Sequence, residues 1–235
     1  MLSGRIWGQV STVFLALFFS HAAYGQSPQL DQRAQPQTPS LAPSNQNASL
    51  LTPMKPQPKD APYVRITSHQ RLRWIVSNSI GPAALVVGTF GPAFGTAIDR
   101  PEEYGPHWEG FGERYGLRLT GIIPSNIMEA EIGTVWGEDP RYFRAPDQHF
   151  GGRVKNIVKQ TFVARRPDGA FAPAYARFIG IAGSSFLSNT WRPESEANTH
   201  DALIRSLEGF GGRMATNAFE EFWPDAKAHL FHRSN

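Results

Sequence analysis

The sequence predicts an all-α domain: a compact set of helices with a glycine-rich, close-packed helix hairpin, after a disordered Pro/Gln-rich N-terminal segment. Two observations predict it. Beyond Pro62, apolar residues recur at helical spacing, strict period-two alternation is scarce and β-branched runs are few. Before Pro62, Pro, Gln, Ser and Asn dominate and no apolar period can be counted. Abundant Gly and aromatic residues raise an outer-membrane β-barrel as the alternative, but the alternating segments of about ten residues that build a barrel are missing, as is any internal repeat.

Residues 1–25 read as a signal peptide: Arg5 gives a positive start, Val10–Phe19 an apolar core, and Ala23 and Gly25 the small residues of a cleavage site. No cysteine follows the apolar run, which leads away from a lipid-attached lipoprotein. Residues 26–62 read as a disordered or polyproline tether, because their composition cannot bury enough surface to offset its ordering entropy. Residues 63–235 are the helical domain. The chain contains no cysteine, so its stability must come from packing or from a membrane, and thiolate metal sites and a cysteine nucleophile are excluded. Formal net charge is +3, and +2 without the signal peptide and its Arg5, too little for a general nucleic-acid binder.

Within the domain, "HQRLRWIVSNSI" starts a helix capped by Thr67 or Ser68. It leads into "IGPAALVVGTFGPAFGTAI" (Ile80–Ile98), uncharged and about as long as a bilayer-spanning helix, but interrupted near Gly81-Pro82 and kinked by Pro92. Trp108, Phe111, Tyr115 and Leu119 then stand at helical spacing. Pro124 is expected to break that helix, a short one resuming over 126–136. "GEDPRYFRAPDQHFGG" reads as a loop. The next helix, 153–166, places Val154, Ile157, Val158, Thr161 and Phe162 on one face. "RPDGAFAP" reads as a turn. A helix in "AYARFIGIAGSSFLSNTW", another from about 195 to 219 and, past a helix boundary at Trp223-Pro224, a last short one near "HLFHR" complete the domain.

Gly81, Gly88, Gly91 and Gly95 form a narrow seam on a helix, and Gly112 and Gly116 offer a matching seam on the next. Each glycine costs a helix about 1 kcal/mol relative to alanine, so the seam implies close packing that recovers the loss. The expected hairpin is the pairing of these two seams. Arg177, Arg205, Arg213, Glu129 and Glu131 interrupt the apolar runs of the other helices, which leads away from a polytopic membrane protein, since charges are expensive at bilayer depth. Partial insertion by the one kinked hairpin stays open.

Arg153, Lys155, Lys159, Arg165 and Arg166 fall within one acid-free stretch beside an apolar face, with Arg141 and Arg144 just before it. Guanidinium and ammonium groups suit phosphate, and a basic amphipathic helix suits an anionic lipid surface, so these seven residues are the candidate anion site. No metal or cofactor site is expected: the histidines form no H-x-x-x-H pair, and no P-loop, G-x-S-x-G or dinucleotide fingerprint occurs.

Two resemblances follow from longer matches. "KQTFVARRP", with Lys159 six residues before Arg166-Pro167, resembles the first motif of phosphatases of the phosphatidic-acid-phosphatase type, in which Lys and Arg clamp a phosphate. The family's next motif is missing, because "AGSSF" has no histidine, and Arg192 and His200 stand at the wrong spacing. "GERYG" (Gly112–Gly116), "EDPRYFR" (Glu138–Arg144), "SNTWRP" (Ser188–Pro193) and "EFWPD" (Glu221–Asp225) together resemble a family of exported bacterial helical proteins over roughly 105–232. Trp191-Arg192 depart from that family's pair of aromatics. The resemblance implies an exported helical domain and brings no activity, cofactor or catalytic residue.

The reading is therefore an exported, envelope-associated, non-enzymatic helical protein acting as a structural or interaction module at a membrane surface. Its partners would be an anionic membrane or an envelope protein, and its oligomeric state is open. The alternatives are a degenerate phosphoester hydrolase using Lys159 and Arg166, and a soluble periplasmic module binding a protein partner.

Overall fold

The computed structural model describes Leu50, residues 62–146 and residues 149–231, all within one compact unit spanning 48–235. The expected signal peptide and nearly all of the expected tether lie outside the described residues. The fold is all-α. Its elements are α1 (Ser68–Ile80), α2 (Pro82–Val87), α3 (Phe90–Ala97), a 3₁₀ turn (Glu102–Tyr104), α4 (Trp108–Trp136), α5 (Phe150–Phe162), β1 (Val163–Arg165), β2 (Phe171–Pro173), α6 (Tyr175–Leu187), a second 3₁₀ turn (Ser188–Thr190) and α7 (Thr199–Phe231). α4 packs most extensively on α6, which in turn packs on α7; α5 lies against α7, and α1 and α3 lie against α4.

α1 starts at a reciprocal capping box. The Thr67 hydroxyl accepts from the Gln70 amide, and the Gln70 side chain accepts from the Thr67 amide. It ends at extended Gly81, and Pro82 occupies the first turn of α2, where its missing N–H costs nothing. Pro92 sits likewise in the first turn of α3, so the chain breaks at Gly88-Thr89, and Ser68–Val87 and Phe90–Ala97 meet at 45°.

Two helices run on where proline was expected to stop them. α4 continues through Pro124, which is buried, because the residues after it (Ser125, Asn126, Glu129, Ala130 and Gly133) form the face packed inside the domain. At Gly180 of α6 an added Cβ would lie 2.7 Å from the Ser125 carbonyl oxygen and 3.1 Å from the Glu129 amide nitrogen. Backbone meets backbone there, and the contact fixes the stretch of α4 just after Pro124. α7 likewise continues through Pro224, between two anchored acids described below. The basic helix is shorter than expected, ending at Phe162. Arg165 is instead in a small antiparallel hairpin, Val163–Arg165 with Phe171–Pro173, closed by Asp168 accepting from the Ala170 amide and by Gly169 at φ 81°.

Gly180→Ala is expected to destabilise the domain by about 1–3 kcal/mol through overpacking. Gly91→Ala, whose Cβ would meet nothing within 4 Å, is expected to be neutral or to stabilise by up to about 1 kcal/mol. Thermal unfolding of both variants checks this, and equal behaviour would mean that α4 and α6 do not touch tightly.

Candidate functional site: a polar interior under an apolar exterior

The largest fully buried side chains are Arg177, Glu221, Asn217, Thr161, Asp139 and Ser188, all polar. Buried apolar side chains include a cluster of Trp74, Ile75 and Ala130, with Ile127 against it, and Ile66, Tyr142, Phe143, Ile157 and Ile181 elsewhere. Polar groups removed from water must be paired, and each of the six polar side chains has a hydrogen-bond partner.

The two most specific sequence elements, "EDPRYFR" and "EFWPD", close on each other. The Glu221 carboxylate accepts from the Tyr142 hydroxyl (2.8 Å), the Ala145 amide (3.0 Å) and the Arg153 guanidinium (2.9 Å). One helical turn on, across Pro224, Asp225 accepts from Arg144 (3.1 Å) and Arg153 (2.5 Å). Arg153 also donates to the Glu221 backbone carbonyl and lies 4.3 Å over the Phe222 ring. Arg153 thus grips α7 on both sides of its proline. Asp139 is enclosed by Arg141 and by the Tyr63 hydroxyl at 3.1 Å, and burial beside that carboxylate pushes the Tyr63 phenol up to about 12. Glu138 accepts from the Tyr175 and Ala176 amides, capping α6 from a distant loop where Ala174 provides no side-chain cap.

A second network joins α4, α6 and α7. Glu129 accepts from Arg177 (2.8 Å) and Arg213 (3.0 Å). Arg177 also donates to the carbonyls of Gln160, Thr161 and Val163, and Arg213 donates to that of Pro140 and stacks on Trp74. The charges that interrupt the apolar runs at 129, 177 and 213 therefore face inward and pair with one another, two guanidinium groups sharing one carboxylate. Nothing in the sequence marks these acids as organising groups beyond a charge amid apolar helix, visible without its direction.

Glu220 lies beside these networks without a hydrogen bond among the described residues. Burial pushes its carboxyl up to about 7, against the pull of Arg213. The unfolded carboxyl releases its proton near 4.5 and the folded one near 7, so the fold loses stability as pH rises between those values. Glu220→Gln is expected to stabilise the protein by roughly 2–3 kcal/mol at pH 8 and by about 1 kcal/mol or less at pH 5. Urea unfolding at the two pH values measures the difference, and a larger gain at the lower pH would contradict the burial of this carboxyl.

The seven candidate cations do not form one site. Arg141, Arg144 and Arg153 are tied into internal ion pairs with Asp139, Asp225 and Glu221. Lys155 and Lys159 are exposed on α5, and Arg165 and Arg166 belong to the hairpin. The glycine seam is also rearranged. α3 does pack on α4, but Gly88 and Gly95 face the side chains of Arg118 and Arg114, Gly91 faces open space, and Gly112 and Gly116 lie exposed. Gly81 meets the Ser77 carbonyl of its own preceding turn. The glycines receive arginine rather than another helix because the α2–α3 break and the turn after α3 leave carbonyls to satisfy. Arg114 donates to those of Arg100, Pro101 and Gly105, Arg118 to Ala84 and Tyr115 to Leu85.

The exterior, conversely, carries many large apolar side chains. Phe90 (73 %) and Phe94 (67 %) stand out from α3, Trp108 (85 %) from α4, Phe150 (73 %) from α5 and Leu207 (72 %) from α7. Among the described residues no single helix is long and apolar enough to cross a membrane; Ser68–Val87 with Phe90–Ala97 reaches that length and composition only as the bent pair. Nor is any group of three His, Asp or Glu side chains placed to hold a metal ion among them. Of the groups required by the phosphatase resemblance, Lys159 is exposed, the Ser184 hydroxyl is buried and donates to Ile181 within its own helix, Arg192 pairs with Glu196 and the His200 side chain is 81 % exposed. No contact joins them among the described residues. The chain matches no protein family, no curated protein and no solved structure.

Proposed function

We infer that this chain is an exported, envelope-associated helical protein that works without catalysis, as a structural or interaction module held against a membrane. The observation that carries this reading is the set of large apolar side chains left on the surface, Phe90, Phe94, Trp108, Phe150 and Leu207 among them, around an interior rich in paired polar groups. In water, such an exterior forfeits about 25 cal/mol for each Å² of apolar surface left uncovered. Against lipid that cost disappears, and an interior that satisfies its own polar groups is what such a setting demands. The bent α2–α3 unit, with Phe90, Phe94 and Ile98 spaced four apart on its outer side, is the part suited to shallow insertion. The signal-peptide pattern and the resemblance to exported helical proteins support the same setting.

Fractionation of cells producing the full chain tests the reading. The protein is expected in the membrane fraction after a high-salt wash, and Phe90→Ser/Phe94→Ser is expected to shift it towards the soluble fraction with helix content unchanged. Release of the unaltered protein by salt alone would assign it to the soluble binding modules. Phosphomonoesterase activity that vanishes in Arg166→Ala would favour the hydrolase.

A further inference from the structure

α5 carries an outward row and an inward row of opposite character. Inward it presents Arg153, Asn156, Gln160 and Thr161, all engaged in hydrogen bonds. Outward it presents Phe150, Val154, Val158 and Phe162, exposed and four apart along one side of the helix, with Phe150 also stacked on Phe222 at one end and Phe162 against Phe178 and Phe210 at the other. Lys155 and Lys159 stand one position beyond Val154 and Val158, also exposed, along the edge of this row. At the end of the helix the Lys159 ammonium lies 4.3 Å over the Phe171 ring, and the Arg165 guanidinium lies 4.8 Å from the same ring and 4.7 Å from that of Phe143.

Lys155, Lys159 and Arg165 differ from Arg141, Arg144 and Arg153 of the basic set. Arg141, Arg144 and Arg153 each have a carboxylate within 3.1 Å. Among the described residues, Lys155, Lys159 and Arg165 have none within ion-pair distance, and the Nε of Arg165 is buried without a hydrogen-bond partner. Aromatic rings hold Lys159 and Arg165 in place without neutralising them, since a ring offers a quadrupole and no countercharge. Arg166, next along the chain from Arg165, acts electrostatically on buried Glu138 instead and is not part of this face.

We propose that the outer side of α5 is a docking surface for an anionic phospholipid membrane. The row from Phe150 to Phe162 enters the acyl region, while Lys155, Lys159 and Arg165 meet lipid phosphates. The lysine stems run beside the row and carry their ammonium groups to the depth of the headgroups. The charge pattern selects this occupant: an apolar protein partner leaves three cations unanswered, whereas an anionic bilayer answers the apolar row and the cations together. The proposal rests on the membrane reading above and adds the headgroup chemistry and the contacting face.

Flotation of the full chain with phosphatidylcholine vesicles, with and without phosphatidylglycerol, tests it. Binding is expected to strengthen about fivefold for each cation engaged when phosphatidylglycerol is present, and that gain is expected to shrink as salt is raised. Lys155→Gln/Lys159→Gln is expected to lose about 25-fold on the anionic vesicles and nothing on the neutral ones, and Lys155→Arg/Lys159→Arg to keep the preference. Val154→Ser/Val158→Ser is expected to weaken binding to both. Equal binding to the two vesicle types, or an unchanged preference in the glutamine variant, overturns this proposal and leaves the membrane reading standing. Failure to bind either vesicle overturns both. A lipid-free oligomer of the full chain that Val154→Ser/Val158→Ser dissociates assigns the face to a second copy and overturns the lipid proposal alone.

Discussion

Glu129→Ala is expected to cost the fold on the order of 3–5 kcal/mol, the largest loss from any single side chain described above. Glu129 is the shared counter-charge of Arg177 and Arg213, whose side chains are 2 % and 9 % exposed. With it removed, two guanidinium groups stay in the interior with backbone carbonyls as partners and no anion. Arg213 shows how finely the site is balanced: burial, reinforced by the charge of Arg177, lowers its pKa to about 10 even with Glu129 present. For a domain of this size each kcal/mol lowers the unfolding midpoint by roughly 2–4 °C, so the variant is expected to melt about 10 °C or more below the parent. Glu129→Leu/Arg213→Leu is expected to lose less than Glu129→Ala, because it strands one buried guanidinium, that of Arg177, instead of two. A Glu129→Ala midpoint within a few degrees of the parent would show that water reaches the pair and that the interior is not dry.

Glu221→Ala is expected to be nearly as damaging, at about 3–5 kcal/mol, while Asp225→Ala is expected to cost about 1 kcal/mol or less. The two acids sit one turn apart and both bind Arg153, so their difference isolates burial. The Glu221 side chain is fully buried and satisfies three donors from the 142–153 region, whereas that of Asp225 is 44 % exposed and largely screened. Loss of Glu221 leaves the Tyr142 hydroxyl and the Ala145 amide without their acceptor and frees the helix before Pro224. Chemical denaturation of the two variants gives the ordering directly, and equal losses would mean that the contact with α7 is a surface ion pair and nothing more.

Much of the architecture was legible as local chemistry. The Thr67 cap, the break before Pro92 and the turn through Asp168 and Gly169 depend on neighbours only a few residues away, and the structure places them where the sequence indicates. Pro124 and Pro224 misled because the proline rule is local too. It cannot register that the α6 backbone clamps α4 beside Gly180, or that Arg153 grips α7 on both sides of Pro224. The glycines showed the same limit, their spacing announcing a small-residue face without naming the arginines that fill it. Of the candidate anion site, the composition was legible and the division was not: Arg144 meets a carboxylate 81 residues away, which no spacing rule anticipates. The charges at 129, 177 and 213 were plain in the sequence, and their inward direction was not.

The exposed apolar and buried polar side chains also have a calorimetric consequence. Heat-capacity change on unfolding rises with newly exposed apolar area and falls with newly exposed polar area. Here Phe90, Trp108, Phe150 and Leu207 are already uncovered in the native domain, while unfolding releases Arg177, Glu221, Asn217 and Asp139. The change per residue should therefore fall below the usual value of about 12–15 cal/mol/K. A small heat-capacity change flattens the dependence of stability on temperature, so the domain's stability should vary little between cold and warm surroundings.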